Sequence, residues 1–297
     1  SLSWRDSHKV AGKPLSYNIK VAVWDTTSKI TRYTAKTGTL PTNYSINYYE
    51  GMTLGEMWGY KCDGLFQSDE EAQTWANYSK FTNRSATWQA GDPRYLDLNG
   101  DNIVNGGKGT LDDPGDRRVI GNSSPRYQYG ASLNFSWYGF DVSVFMQGIG
   151  RLDWYPGADN LRFWGPYCRP YATFVPKNFM SQVWSEENPD AYFPRARAYT
   201  SLNSNSGTAY YTNDRYLQNL AYCRLKNLTI GYTIPRRLTS KVGIKECRIY
   251  FSGENLATWS ALKSDFLDPE QAAADSDKKA NVYPWCKTYS IGLNLTF

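Results

Sequence analysis

From Arg126 to Gly148 the chain alternates with a regularity that few folds can absorb. Tyr127, Tyr129, Ala131, Leu133, Phe135 and Trp137 fall on one face of an extended strand, and Gln128, Gly130, Ser132, Asn134 and Ser136 on the other. The division follows because successive side chains of a strand point to opposite faces. Tyr138-Gly139 marks a tight turn. Beyond it Phe140, Val142, Val144 and Met146 continue the apolar face and Asp141, Ser143 and Gln147 the polar one, with Phe145 out of step. Strands of soluble domains usually run about five or six residues; here the alternation lasts eleven before the turn. Two strands of about ten residues, joined by almost nothing, have the length to cross a bilayer at a tilt. Tyr127 and Tyr129 collect at one end and Trp137 and Tyr138 at the other, where the aromatic girdles of a membrane barrel lie.

The rest of the composition narrows the choice. No apolar run approaches the roughly 18 residues of a membrane helix, so a membrane protein of this composition has to be a closed barrel. The chain has 24 Tyr, 12 Phe and 11 Trp, enough to furnish such girdles. Its net charge of +5 is spread among mixed charges; without a basic run, neither nucleic acid nor a polybasic membrane tether is indicated. The five cysteines (Cys62, Cys168, Cys223, Cys247, Cys286) are scattered, with no CxxC pair, and read as small apolar residues. No signal peptide precedes Leu2-Ser3-Trp4-Arg5, which already reads as strand, so a piece of a longer or processed protein is expected.

In chain order, Leu2–Ser7 reads as a strand end, Gly12-Lys13-Pro14 as a turn, and Ser16–Asp25 as a strand with Tyr17, Ile19, Val21 and Val23 on one face. Thr26–Glu50 is polar. Gly55–Phe66 is extended but glycine-rich, and Gln67–Ser124 is a long insertion with a short helix over Ser68–Tyr78. After the hairpin, Arg151–Asp214 is a second long segment. Tyr216–Ile234 is a strand, Pro235–Lys245 a short connection, Cys247–Trp259 a strand broken at Gly253, Ser260–Pro284 a loop, and Lys287–Phe297 a last strand. Long and short connections thus alternate, as in outer-membrane barrels with short periplasmic turns and long outer loops. Strand parity works if Gly55–Phe66 lies in the outer loops, which puts Phe297 on the periplasmic side. That last strand is apolar at every second position and ends on the aromatic Phe297.

Several stretches form an ordered series of short motifs along nearly the whole chain. They are Tyr49-Glu50-Gly51-Met52, Gly55-Glu56-Met57-Trp58-Gly59-Tyr60, Asp63-Gly64-Leu65-Phe66-Gln67, Gly91-Asp92, Asp97-Leu98-Asn99-Gly100-Asp101 and Asp116-Arg117-Arg118-Val119-Ile120-Gly121-Asn122. Pro125-Arg126-Tyr127, Asn188-Pro189-Asp190-Ala191, Arg224 to Tyr232, Ser252-Gly253-Glu254-Asn255-Leu256 and Tyr289 to Phe297 continue the series in order. Together they resemble the SusC/RagA-type TonB-dependent transporters of Bacteroidota outer membranes, which implies an all-β fold: residues 1–297 as the C-terminal part of a large antiparallel transmembrane β-barrel of roughly 22 strands with long extracellular loops, about seven of those strands being present. The resemblance also implies that the last strand, ending on Phe297, is the signal for barrel assembly. It further implies active import of a nutrient, an oligosaccharide or a peptide, across the outer membrane of a Gram-negative bacterium. A SusD-like surface lipoprotein, membrane lipid, and TonB-ExbB-ExbD acting through an N-terminal part would be the partners. The competing reading is a secreted soluble β-sandwich that binds glycan.

Asp97, Asn99 and Asp101 place oxygens at the first, third and fifth positions of an EF-hand-like calcium loop, with the Ile103 carbonyl at the seventh. Asn102 and Lys108 depart from that pattern at the sixth and twelfth positions. The family pattern implies Asp116, before Arg117, as the closing acid, with Asp112 and Asp113 competing; a metal-free Asx-turn is the alternative. Gly106 to Thr110 lacks the full spacing of a phosphate loop. Trp154, Tyr155, Asp159, Arg162 and Trp164, with Asn160 and Tyr167, could stack sugar rings and bind hydroxyls, or take a peptide, or pack within the loop. Catalysis has no constellation to rest on: His8 is the single histidine and no serine partner is marked, so the chain is not expected to be an enzyme. The Asn-x-Ser/Thr triplets at Asn43, Asn77, Asn83, Asn122, Asn134, Asn227 and Asn294 read as chance.

Overall fold

The computed structural model describes residues 1–34, 38–41, 47–79, 87–168, 171, 175, 177–197, 201–202, 207–263, 267–274 and 283–297. The triplets at Asn43 and Asn83 lie outside them.

Seven strands form one antiparallel sheet: β1 (Leu2–Val10), β2 (Lys13–Trp24), β3 (Arg126–Trp137), β4 (Phe140–Arg151), β5 (Tyr222–Thr233), β6 (Glu246–Ser260) and β7 (Thr288–Thr296). Each pairs with its neighbour in the sequence, so the sheet is a plain meander with β1 and β7 as its edges. It does not close on itself, as a part of a barrel should not. Residues 11–12, 138–139 and 234–245 join strands at one end; the long connections 25–125, 152–221 and 261–287 lie at the other. Gly55–Phe66 takes no part in the sheet and pairs instead with loop segments, Glu56–Gly59 with Arg118–Asn122 and Cys62–Leu65 with Pro93–Tyr95.

Turn chemistry sets the register. Ala11 and Gly12 have φ of 50° and 72°, and Tyr138 and Gly139 have 53° and 86°. Two consecutive positive φ angles are what a two-residue turn matching the twist of its flanking strands requires. The first hairpin is therefore longer than its sequence suggests: β1 runs to Val10 and β2 begins at Lys13, with the turn at Ala11-Gly12.

Register then carries the alternation across the whole sheet. One row reads Asp6, Tyr17, Phe135, Val142, Ile230, Phe251, Ile291, and its neighbour Trp4, Ile19, Leu133, Val144, Leu228, Gly253, Tyr289. The row between them, on the opposite face, is Arg5, Asn18, Asn134, Ser143, Thr229, Ser252, Ser290. Leu133, Phe140, Ile230, Ile249, Ile291 and Leu293 are all exposed on the apolar side. A soluble sandwich would need a second sheet over that face; among the described residues the other sheets are two-stranded and built from the long connections.

Three departures from the sequence pattern have local causes. Tyr127 sits at φ 54°, outside extended geometry, so the regular alternation starts at Gln128. β6 does not break at Gly253: it is continuous, and its register slips at Asn255–Leu256, with Asn255 at φ 53°. Across from it Lys226 is the extra residue of a β-bulge in β5, so Leu225 and Leu228 both reach the apolar face. Phe145 stays out of step, opposite Ser132 and Asn227 on the polar face.

The protein's core lies in the long connections. Trp154, Phe163, Trp164, Tyr167, Phe193, Tyr216 and Leu220 are its centre, and Ile149, on the polar face of β4, packs against it. Phe66, Trp75, Trp88 and Tyr95 form a second cluster over the helix Asp69–Ser79. That helix starts where Asp69, Glu70 and Glu71 complement the helix dipole, with the Ser68 hydroxyl accepting the Glu71 N–H at 3.1 Å as N-cap.

Candidate functional site

The polar face of the sheet, together with the loop layer packed at its upper end, is the surface with chemistry on it. Its middle is small and neutral. Ser143 donates to Asn134 at 2.8 Å, and Thr229 and Ser252 share a hydrogen bond at 3.2 Å. Toward the short turns, Arg248 of β6 reaches across β5 to Asp141 of β4, Nε to Oδ1 at 2.9 Å. Gly231 makes room for this pair: a Cβ there would lie 2.5 Å from Arg248 Nη2 and 2.6 Å from Asp141 Oδ1.

Toward the loops the charge is buried. Arg224 of β5 is 1% exposed and lies opposite Gln147 and Thr258. Its guanidinium donates to Asp268 at 2.5 Å, Glu270 at 2.8 Å and the Thr258 hydroxyl at 2.9 Å. Lys226, turned inward by the bulge, donates to Glu270 at 2.8 Å and lies 4.8 Å from the Trp285 ring centroid. A segment of the β6–β7 connection is thus bound to the polar wall by two acids on two cations. The sequence signal was Arg224-Leu225-Lys226 in a strand and Asp268-Pro269-Glu270 in a loop. Nothing in one chain's pattern says that the two meet.

A second buried acid ties the loops to one another. Asp92 is 1% exposed; it accepts from Gln89 N at 2.9 Å, from the Thr208 hydroxyl at 2.9 Å and from Arg197 at 2.8 Å. Burial outweighs the Arg197 charge and pushes its carboxyl up to about 6.

In the Asp97 to Ile103 loop, Asp97 accepts from Gly100 N at 2.7 Å and Asn102 N at 2.8 Å, Asn99 from Asp101 N at 3.0 Å, and Asp101 from Ile103 N at 2.7 Å. Asn102, in place of the usual glycine, takes φ 62°. Of the three acids competing to close the loop, Asp116 is the one in contact with it: fully buried, it accepts from Leu98 N at 2.7 Å and Asn105 N at 2.8 Å. A carboxylate offers about four acceptor positions, so both Asp97 and Asp116 keep lone pairs beyond these bonds. Oxygen donors of this kind suit a hard cation. Among the described residues no three His, Cys, Asp or Glu side chains form a metal-binding group by themselves, so the Asn99 and Ile103 oxygens would be needed.

Trp154, Tyr155 and Trp164 are buried at 5%, 3% and 1% exposure within the aromatic core, whereas Asp159 and Arg162 are at the surface. The three rings serve packing, and the five residues do not share one face. Tyr155 donates to Tyr211 O at 3.2 Å. The Asn160 side chain caps the short helix Leu161–Trp164 by accepting from Phe163 N at 3.0 Å. His8 pairs with Asp6 at 3.0 Å on the exposed edge strand. All five cysteines are free thiols.

No family model matches the chain. It is 26% identical to the TonB-dependent receptor P3 of Formosa agariphila over 257 residues, 84% of this chain and 22% of that receptor. It is 28% identical to the TonB-dependent receptor P26 of the same organism over 215 residues, 70% of this chain and 20% of the receptor. The chain therefore spans about a fifth of the length of the receptors it matches. Its fold superposes on the RagAB peptide transporter with a TM-score of 0.62 at 17% identity, covering 99% of this chain and 28% of that one. The RagAB peptide importer in its closed-closed state gives 0.63 at 18% identity, over 99% of this chain and 29% of the other. The chain is thus a sequence relative of TonB-dependent receptors that folds as part of a SusC/RagA-type barrel.

Proposed function

We propose that the seven strands are part of the wall of an outer-membrane barrel that imports a nutrient. The observation that carries this reading is the register: one largely apolar face carried across seven strands, interrupted by Asp6 and His8 on the edge strand, and backed by a polar face whose middle is Ser, Thr and Asn. In a bilayer the first meets lipid and the second a wet lumen. The long connections then lie outside the cell and the short ones in the periplasm. Import would be driven by TonB with ExbB and ExbD, acting on parts of the protein beyond this chain, and a SusD-like surface lipoprotein would deliver the substrate. RagAB is described as a peptide transporter, which puts peptide beside oligosaccharide as cargo. Of the residues expected to touch it, Asp159 and Arg162 keep surface positions, and Trp154, Tyr155 and Trp164 would shape the loop beneath them. We also propose calcium in the outer loop, held by Asp97, Asn99, Asp101, the Ile103 carbonyl and Asp116.

The test is fractionation and uptake with the full-length protein. Recovery in outer membranes as a heat-modifiable barrel, and growth on the cargo that is lost with TonB, is the expected outcome. Recovery in the soluble fraction would overturn the reading.

A further inference from the structure

At the loop end of the sheet two arginines face each other. Arg126, the first residue of β3, is the register partner of Arg151, the last residue of β4. Arg151 follows Ile149 on the polar face. Like charges directly opposite one another are destabilising, and here each is offset by one acid. Arg126 donates from Nε and Nη2 to the two carboxylate oxygens of Asp25 at 2.5 and 2.6 Å, and Arg151 donates from Nη2 to Asp153 at 3.0 Å. The acids are further engaged by the backbone: Asp25 accepts from Tyr127 N at 3.3 Å and Asp153 from Asn122 N at 2.9 Å. The arginines keep donors in hand. Arg126 Nη1, and Nε and Nη1 of Arg151, have no acceptor among the described residues.

Both arginines line a cavity of about 270 Å³ between the sheet and the loop layer. Asp25 and Asp153 do not line it, nor does any other carboxylate of the described residues, so each ion pair turns its cation to the cavity and keeps its acid behind. Thr26, Thr27, Ser28 and Thr53 supply the other walls, and their hydroxyls make no hydrogen bond among the described residues. Glu56, next to Thr53, is taken by the Thr53 N–H at 2.9 Å and by the Tyr49 hydroxyl. The frame is preformed. Leu54 N donates to Ser28 O at 2.8 Å, and Ser124 Oγ and Asn122 Nδ2 donate to Leu54 O at 2.8 and 3.0 Å. Gly121 lets the loop close on Asp153, since a Cβ there would lie 2.9 Å from Asp153 Cβ. Tyr127 leaves strand geometry at this point, at φ 54°, with its ring centroid 5.1 Å from the Arg126 guanidinium. Non-glycine residues held in such sparsely populated conformations cluster at ligand sites.

We propose that this cavity binds one carboxylated sugar unit, a hexuronate, of an acidic oligosaccharide cargo at the outer mouth of the barrel. The carboxylate lies between Arg126 and Arg151, because a guanidinium fork matches the two oxygens of a carboxylate. The ring hydroxyls exchange hydrogen bonds with Thr26, Thr27, Ser28 and Thr53, since a hydroxyl both donates and accepts. The two halves of the site select this occupant together. A peptide carboxylate would use the arginines and leave most of the hydroxyls without partners, and a neutral sugar would use the hydroxyls and leave the guanidinium donors unmet. This inference rests on the import reading above and names the class of cargo.

The test is titration of the full-length protein in mild detergent with D-glucuronate, D-galacturonate, D-mannuronate and L-guluronate, each beside its neutral hexose, and with N-acetylglutamate as a carboxylate without the ring. At least one hexuronate should bind about tenfold more tightly than both its neutral hexose and N-acetylglutamate. Arg151→Gln should weaken that binding by at least about tenfold, while staying a heat-modifiable barrel. Lys20→Gln, on the polar face opposite Ser132, should leave it unchanged. No preference for any hexuronate over its hexose, equal binding of N-acetylglutamate, or undiminished binding by Arg151→Gln would each overturn the sugar-acid site while leaving the barrel reading intact. If Arg151→Gln does not assemble, Arg151→Lys carries the same comparison, because it keeps the charge and loses the fork. An unaltered protein that is not a heat-modifiable barrel would overturn both.

Discussion

Arg224 in β5 and Glu270 in the β6–β7 connection meet at 2.8 Å, with the arginine 1% exposed. That contact joins a strand of the wall to a segment 46 residues further along the chain. A buried ion pair is weak evidence of net stability, but removing one partner is costly, on the order of 3–5 kcal/mol, because the other is left uncompensated. Arg224→Leu should therefore release the segment around Asp268 and Glu270 while the sheet persists. Protease nicking between residues 260 and 285 should rise steeply. Unchanged nicking would mean that the connection is held by other contacts.

The hairpin tests the two faces. Leu133 pairs with Val144 on the apolar side and Asn134 with Ser143 on the polar side. An arginine facing lipid at the midplane costs about 2–4 kcal/mol. Leu133→Arg should lower the amount of heat-modifiable barrel in outer membranes far more than Asn134→Arg. Equal damage, or the reverse order, would show that the apolar face does not meet lipid.

Gly231 is a steric requirement rather than a flexible joint. With a Cβ 2.5 Å from Arg248 Nη2, Gly231→Val forces the Asp141–Arg248 pair apart. Barrel yield should drop. Combining it with Asp141→Asn and Arg248→Gln should restore part of that yield, since the obstructed partners no longer carry charge. If the single variant assembles normally, the pair is dispensable.

Asp92 gives the loop layer a pH dependence of definite sign. Its carboxyl is raised from 3.8 to about 6 by burial, so the folded layer binds that proton more tightly than the unfolded chain does. The stability this confers is complete below pH 3.8 and is lost as pH rises through about 6. Unfolding midpoints of the loops should fall between pH 5 and pH 7, and Asp92→Asn should flatten that fall. A midpoint that rises over the same interval would contradict the assignment.

Calcium should protect the segment from Asp97 to Asp116 against proteolysis in the full-length protein, and magnesium should not do so at equal concentration, because it demands a tighter octahedral shell. Asp101→Ala should raise the calcium needed for protection. Protection without added calcium and indifferent to chelators would leave the loop as a hydrogen-bonded Asx-turn alone.

The sheet was largely legible in the sequence because period-two alternation is a one-dimensional signal, and register merely extends it sideways. It failed where the period itself slips: at the Lys226 bulge, at Asn255, and at Tyr127 with its positive φ. The loop layer was much less legible. For Trp154, Tyr155 and Trp164 the sequence left ligand contact and packing both open, because exposed binding aromatics and buried packing aromatics have the same composition. Trp164 is buried against Phe193 and Tyr216, tens of residues away, and all three rings sit in that one cluster. Asp116 was legible by its neighbour Arg117, and Asp92 by nothing beyond its motif.

The meander also sets an order of assembly. Leu15 pairs with Trp137 across more than a hundred residues, yet Val10 pairs with Lys13 and Trp137 with Phe140 across two. Hairpins form in microseconds when their turns are this short, whereas the joints between them wait on long-range closure. Each doubling of the intervening chain adds only about 0.6 kcal/mol to that closure. The two tight hairpins, β1–β2 and β3–β4, are therefore the natural units of folding. The joints between them can tolerate long insertions at the loop end without a comparable change in rate, a freedom the two-residue turns do not share.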